Sequence, residues 1–158
     1  MKAVTFHEHG GSEKLIYEEV PFPQVGPEEI LIRVKACALN HLDIWLRQGI
    51  PSYKIALPHI SGCDVSGVIE KVGATYMGHL TPGQAVFVMP GLSCGNCDEC
   101  LAGKDNCCAY YQILGAQRNG GYAEYVNVPA SNVFPLPANL TFEQGAAFPL
   151  VSVTAWHM

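Results

Sequence analysis

The segment CGNCDECLAGKDNCC, residues 94–108, holds five of the seven cysteines of this 158-residue chain. Two residues separate Cys94 from Cys97 and Cys97 from Cys100, and seven separate Cys100 from Cys108. A two-residue spacing lets two thiolates bind one ion, whereas disulfides between such close neighbours are strained. The segment therefore predicts a metal site, with zinc as the first expectation.

The fourth ligand is ambiguous, because Cys107 and Cys108 are adjacent and cannot easily both point at one ion. The spacing alone leaves this choice open. Four thiolates without a histidine complete the coordination of zinc, whereas a catalytic zinc keeps one position for water or substrate. We therefore expect one structural zinc per chain, which contributes folding free energy and loop shape.

The composition is that of a folded domain, with 49% hydrophobic and 15% charged residues. A net charge of −5 without a run of Lys and Arg argues against a nucleic-acid or anionic-membrane partner. Neither a signal segment nor an apolar run of membrane-spanning length is visible. We expect a cytoplasmic protein, whose thiols stay reduced.

Around the cysteine segment, short apolar stretches separated by Gly and Pro predict a mostly-β barrel or sandwich with few helices. Residues 30–36 alternate, with Ile30 and Ile32 on one face and Leu31 on the other, as in a half-buried strand. Within residues 40–49, apolar residues recur at intervals of three and four positions, and the segment ends at a glycine. This pattern predicts a short helix. Further strands are predicted at residues 1–6, 15–20, 64–73, 84–90 and 120–129, of which 84–90 is expected to be fully buried.

The last residues are predicted to be helical, with Thr141 as an N-cap and Pro149 at a first helical position. The helix from Pro149 reaches Met158 without a Gly, an Asn or a charged last turn to end it. We therefore expect the front part of a longer protein.

The cysteine spacing resembles that of the structural zinc lobe of the medium-chain alcohol dehydrogenase superfamily. The resemblance implies a GroES-like β-barrel domain over 1–148 with a zinc lobe at 94–108, and it selects Cys108 over Cys107. It also implies that 149–158 begin the helix leading to a Rossmann domain that binds NAD(P). The G-x-G-x-x-G fingerprint of such a domain is absent from the sequence. Four further segments carry the resemblance: VKACALNHLDIWLRQG (34–49), PHISGCDVSGVIEKVG (58–73), GGYAEYVNVP (120–129) and AAFPLVSVTAWHM (146–158).

The chain departs from this family where zinc-dependent members bind a catalytic zinc. Those members use a Cys, a His and a later Cys, whose positions here are Asn40, Cys63 and Leu150. The Glu beside the His is Asp64, and the hydroxyl residue that relays the alcohol proton is Leu42. Because Asn40 and Leu150 are not zinc ligands, too few donor atoms remain to bind a catalytic zinc tightly while leaving one coordination position open.

The substitutions are similar to those of the zinc-free quinone and enone reductases, which often share an N-x-x-D pattern, here Asn40 and Asp43. The resemblance implies NAD(P)-dependent hydride transfer to or from a small carbonyl, quinone or enone without catalytic zinc. Asn40 and Asp43 are candidate catalytic residues, and Thr154 matches a position that touches the nicotinamide. Each also has a structural interpretation: Asn40 as a helix cap, Asp43 as a first-turn acid, and Thr154 as a hydroxyl bonded to its own helical turn.

Two other hypotheses stay open. The first is a zinc-dependent alcohol dehydrogenase with rebuilt ligands, using Cys63 with Asp64, His59 or His41. The second is a non-enzymatic, zinc-stabilised β-domain used for interaction. The expected partner is a small-molecule substrate, a homo-oligomer is an open alternative, and the sequence specifies neither the substrate nor the choice between NADH and NADPH.

Overall fold

The computed structural model describes residues 1–51 and 53–158. The prediction of a mostly-β fold with short helices is confirmed. None of the helices in the described part of the chain combines the length and the apolar character needed to cross a lipid bilayer. The strands are β1 (Lys2–Thr5), β2 (Ile16–Glu19), β3 (Glu29–Ala38), β4 (Asp64–Val72), β5 (Ala85–Val88), β6 (Gly91–Leu92), β7 (Gln112–Ile113), β8 (Tyr125–Pro129) and β9 (Val133–Pro135), and the helices are α1 (His41–Gln48), α2 (Asp98–Leu101), α3 (Phe142–Ala147) and α4 (Pro149–His157).

An antiparallel sheet of five strands, in the order β8-β3-β4-β5-β9, forms the centre of the fold. Two smaller antiparallel pairs, β1-β2 and β6-β7, accompany it. Helix α3 packs against β3, β4 and β5. The core is aliphatic, and burial of such side chains is the main favourable contribution to folding. Its most buried members are Ile30, Ile32, Val65, Val86, Val88, Leu114 and Val128.

The burial of β3 differs in one place from the predicted alternation. Ile30 and Ile32 are fully buried as expected, but Leu31 is also buried, with only 7% of its surface exposed. The pairing of β3 with β4 shifts its register between Leu31 and Ile32, where Glu70 of β4 is the extra residue of a bulge. Leu31 pairs with Lys71 of β4 on one side and with Asn127 of β8 on the other.

Two further predicted segments differ in detail. In β5, Phe87 is only partly buried, so the segment 84–90 is not fully buried as predicted. The strand predicted over 120–129 begins at Tyr125. The residues before it form backbone bonds to another segment instead, since Gly120 donates to Ile60 and Gly121 donates to Gly62.

The cysteine segment forms a lobe that leaves the barrel at one end of β6 and returns through β7. Those two strands pair and close its base. Inside the lobe, α2 and a 3-10 turn at Asp105–Cys107 bring the cysteines back toward each other. Gly95 and Gly103 both have a φ of +73°, which glycine adopts without steric cost.

Candidate metal centre and reaction site

The structure brings the side chains of Cys94, Cys97, Cys100 and Cys108 together, with all four sulfur atoms within 4.8 Å of one another. Cys94 Sγ lies 3.9 Å and Cys97 Sγ lies 3.5 Å from Cys100 Sγ. Four ligands placed 2.3 Å from a central zinc stand about 3.8 Å apart in a regular tetrahedron. The sulfur spacing therefore fits a tetrahedral tetrathiolate site.

The fourth position in this cluster is occupied by Cys108, which is buried, whereas Cys107 is exposed and points elsewhere. The backbone N–H groups of Cys94 and Tyr110 donate to Cys108 Sγ, each at 3.4 Å. Such N–H···S contacts favour the thiolate form that binds metal. Geometry thus selects the same cysteine as the family resemblance.

The chemistry of the cluster also suits zinc. All seven cysteines of the chain are free thiols, so the four sulfurs are available as ligands. The backbone N–H groups of Asn96 and Cys97 lower the pKa of the Cys94 thiol. Further thiolates at this spacing repel one another unless a cation lies between them. Four sulfur ligands leave zinc no position for water or substrate.

A second polar site lies where α1 begins, and Asp43 is at its centre. Only 7% of the Asp43 surface is exposed. Its Oδ2 accepts hydrogen bonds from the backbone N–H of Asn40 at 2.8 Å and from the hydroxyl of Tyr122 at 2.7 Å. Its Oδ1 accepts the backbone N–H of Gly62 at 3.0 Å. With three donors, this carboxylate orders the helix start and two neighbouring segments, which is the structural interpretation of its position.

Asn40, the N-cap of α1, directs its side-chain amide toward β4. Its Nδ2 donates to Asp64 Oδ2 at 2.9 Å and lies 3.3 Å from Cys63 Sγ. Burial, together with the nearby Asp64 carboxylate, raises the pKa of the Cys63 thiol to about 12. The sulfur is therefore a neutral, weak acceptor, and the hydrogen directed at it is the weaker of the two amide contacts.

Asp64 connects this site to the other end of the chain. It is 1% exposed, and its Oδ1 accepts the backbone N–H of Leu150 at 2.9 Å. Burial raises the pKa of the Asp64 carboxyl, while the hydrogen bonds from Asn40 and Leu150 act in the opposite direction. The three family positions for a catalytic zinc, Asn40, Cys63 and Leu150, thus lie beside one carboxylate, each oxygen of which already accepts a hydrogen bond.

The histidines that a catalytic zinc site with rebuilt ligands would need are not placed as ligands. His59 is buried, and its Nε2 is hydrogen-bonded to the carbonyl of Gly115 at 2.9 Å. His41 is exposed on α1 and packs against the ring of Trp45. Within residues 1–51 and 53–158, Cys63 and Asp64 join no group of three or more His, Cys, Asp or Glu side chains arranged for an ion.

Thr154, the candidate cofactor contact, lies on the exposed surface of α4. Its Oγ1 donates to the carbonyl of Leu150 at 2.9 Å, which is the structural interpretation of a helical threonine. Tyr122 and Gly62 were missed by the sequence patterns, because both join the site through contacts with Asp43 from distant segments. No local signal marks such contacts.

Comparison with protein families finds a match to the alcohol dehydrogenase GroES-like domain over residues 26–138. Among curated relatives, an alcohol dehydrogenase of Geobacillus stearothermophilus is 39% identical over 88% of this chain and 41% of its own length. An L-threonine 3-dehydrogenase of Bacillus subtilis is 34% identical over 82% of this chain and 38% of its own length.

Two solved structures extend the comparison to three dimensions. A crystal structure of an NAD-dependent alcohol dehydrogenase superposes with a TM-score of 0.96 and 52% identity, over 100% of this chain and 46% of that one. A cobalt- and zinc-bound thermostable alcohol dehydrogenase from Pyrobaculum aerophilum superposes with a TM-score of 0.90 and 37% identity, over 100% of this chain and 47% of that one. The chain spans less than half the length of each of these four proteins.

Proposed function

Because the chain belongs to the alcohol dehydrogenase GroES-like domain family, we propose that it is the substrate-binding part of an NAD(P)-dependent oxidoreductase. The reaction is hydride transfer to or from a small carbonyl, quinone or enone, without a catalytic zinc. The relatives are dehydrogenases, which supports an enzyme rather than an interaction module. The four thiolates of the lobe are assigned to one structural zinc per chain.

The observation that carries the zinc-free reaction is the amide of Asn40. It occupies the space between Cys63 Sγ and Asp64 Oδ2, the two side-chain groups that a metal would need there. An amide nitrogen does not bind zinc. With Leu150 at the third family position, one thiol and one hydrogen-bonded carboxylate remain, and these are too few ligands for an open zinc site.

The same amide also has a role in the reaction. Its hydrogen toward Asp64 is held by a short contact of 2.9 Å, which fixes the orientation of the side chain. Its hydrogen toward the neutral Cys63 thiol, at 3.3 Å, is available to a better acceptor. A substrate carbonyl oxygen is such an acceptor, and the hydrogen bond strengthens as negative charge develops on that oxygen.

The electron flow of the reduction is simple. The nicotinamide, when bound, supplies the hydride that adds to the substrate carbon. The Asn40 amide stabilises the electron pair that moves to the substrate oxygen, and solvent supplies the proton that completes the product. Asp43 and Asp64 touch no substrate in this scheme and act by holding Asn40 in place.

The nicotinamide nucleotide is assigned to sequence beyond residue 158. In this proposal residues 1–148 form the GroES-like domain, and 149–158 begin the connecting helix, on which Thr154 faces the cofactor. Large apolar side chains are exposed on both sides of Asp64. Leu39 is 84% exposed next to Asn40, and Trp156 is 88% exposed on α4. A covering domain would remove these surfaces from water.

The test compares reduction and oxidation by the full-length protein and its Asn40→Ala variant. NAD(P)H-dependent reduction of an enal or quinone is expected to fall about 100-fold in kcat, the typical loss for one oxyanion donor. Asn139→Ala, which changes an exposed asparagine far from α1 in sequence, is the control and keeps its rate. The wild-type rate is expected to survive a chelator pulse that leaves one zinc per chain.

The rival function is zinc-dependent alcohol oxidation through Cys63 and Asp64, favoured by the family relatives. It predicts alcohol turnover that the same chelator pulse abolishes and that added zinc restores. It also predicts that Asn40→Ala keeps or gains activity, because the amide no longer blocks the metal. Either result overturns the proposal.

A further inference from the structure

Helix α4 has an unusual start. Its first residue, Pro149, has no N–H, and the residue before it, Phe148, provides no side-chain cap. The first helical N–H is therefore that of Leu150, and it is donated to Asp64 Oδ1 at 2.9 Å. Asp64 lies 86 positions earlier in the sequence, at the beginning of β4. A strand residue thus acts as the N-cap of a distant helix.

Few side chains of α4 are buried. Pro149 is its one buried residue, and Val151 and Trp156 are 55% and 88% exposed. The contact with Asp64 is charge-assisted, because a carboxylate accepts the N–H at the positive end of a helix. It acts together with buried Pro149 and with the edge-to-face contact of Phe148 on Phe87 to fix the direction of α4.

The other oxygen of the same carboxylate accepts Asn40 Nδ2 at 2.9 Å. Asn40 is in turn the N-cap of α1. One buried side chain thus joins the beginnings of two helices that share no backbone hydrogen bond among the contacts of the described residues. Because Oδ1 and Oδ2 belong to one planar carboxylate, any rotation of that group changes its bonds to Leu150 and to Asn40 together.

We infer that Asp64 is a positioning residue that couples the direction of α4 to the orientation of the Asn40 amide. The chain that follows α4 then approaches the reaction site in a fixed geometry. The coupling itself is a property of the hydrogen bonds. Its value for hydride transfer rests on the function proposed above.

The variant Asp64→Asn tests the coupling. An amide at position 64 offers one acceptor and one donor, so it cannot accept from both Leu150 and Asn40. Amide hydrogen exchange at Leu150 in the full-length protein is expected to become on the order of 10- to 100-fold faster, the range for losing a bond to a charged acceptor. The double variant Asn40→Asp with Asp64→Asn reverses donor and acceptor, and is expected to restore slow exchange.

The control is Ser66→Ala on the same strand. Ser66 Oγ donates to the carbonyl of Phe142, so its loss is expected to affect α3 and to leave exchange at Leu150 unchanged. If the Asp64→Asn variant fails to fold, the hydrogen bond between Leu150 and Asp64 is measured in the unmodified protein. A through-bond NMR coupling between Leu150 ¹⁵N and Asp64 ¹³Cγ supports the inference, and its absence overturns it.

The remaining outcomes separate this inference from the proposed function. Unchanged exchange at Leu150 in Asp64→Asn, or exchange that the double variant leaves fast, overturns the coupling. The double variant is also expected to lack reductase activity, because an aspartate at position 40 has no amide hydrogen for the substrate. Slow exchange together with full activity would keep the coupling and refute the catalytic role of Asn40.

Discussion

The hydrogen bond between Tyr122 and Asp43 offers a quantitative test of the network at the start of α1. The Tyr122 hydroxyl donates to Asp43 Oδ2 at 2.7 Å, and the carboxylate is only 7% exposed. A bond to a charged acceptor contributes about 1.5–3 kcal/mol to stability. Since Tyr122 is partly exposed, water can replace the carboxylate, and we expect the lower half of that range.

The perturbation is a double-mutant cycle of Tyr122→Phe, Asp43→Ala and the pair of substitutions. Asp43→Ala alone removes the acceptor for three donors, two of them the backbone N–H groups of Asn40 and Gly62. It is therefore expected to cost about 3–5 kcal/mol, as when one member of a buried polar group is removed. Tyr122→Phe alone is expected to cost about 1.5–2 kcal/mol.

The assay is urea unfolding of all four proteins. A coupling free energy of about 1.5 kcal/mol is expected, because the two side chains are in direct contact. Tyr17→Phe is the control, since Tyr17 is 71% exposed, and its free energy of unfolding is expected to change by less than about 0.5 kcal/mol. A coupling below about 0.5 kcal/mol between Tyr122 and Asp43 would refute the assignment of Asp43 as the centre of the network.

Three other predictions follow from single positions. Cys108→Ser is expected to lose most of the bound zinc and Cys107→Ser to keep it, as measured by metal analysis, because only the first has its sulfur in the cluster; equal losses would contradict the assignment. Gly62→Ala is expected to lower the free energy of unfolding by about 2–4 kcal/mol, because its φ is +97° and a Cβ would lie 2.8 Å from the Tyr122 ring. Cys63 is buried and its thiol has a pKa raised to about 12, so at pH 8 alkylation followed by mass spectrometry is expected to label exposed Cys107 first and Cys63 much more slowly; equal labelling at pH 8 would contradict this.

The parts of the fold that are local in sequence were predictable. The cysteine spacing gives the lobe because two-residue loops bring thiolates together, and the helix ending at Gly49 follows from its periodicity and its glycine. The two-residue strands β6 and β7, which close the lobe, are too short to show any period. The burial of Leu31, which pairs with both β4 and β8, departs from the alternation of β3 and has no local signal in the sequence.

The candidate site was predictable in some of its members but not in its connections. The resemblance pointed to Asn40, Asp43, Cys63 and Asp64 as one cluster, and the structure brings them into one hydrogen-bonded network. The bonds that define their roles, however, come from Tyr122, which is 79 positions from Asp43, and from the Leu150 N–H, 86 positions from Asp64. Side-chain hydrogen bonds at such separations have no periodic signature, so only the assembled fold reveals them.

The central claim is that one ion, bound by sulfur alone, stabilises the lobe while the site at Asn40 works without metal. Metal analysis of the full-length protein, combined with zinc X-ray absorption spectroscopy, measures both the number of zinc ions per chain and the atoms that bind them. We expect about one zinc per chain, surrounded by four sulfur atoms about 2.3 Å away. A second zinc per chain with nitrogen or oxygen ligands, or a lobe whose cysteines are paired as disulfides, would contradict the account.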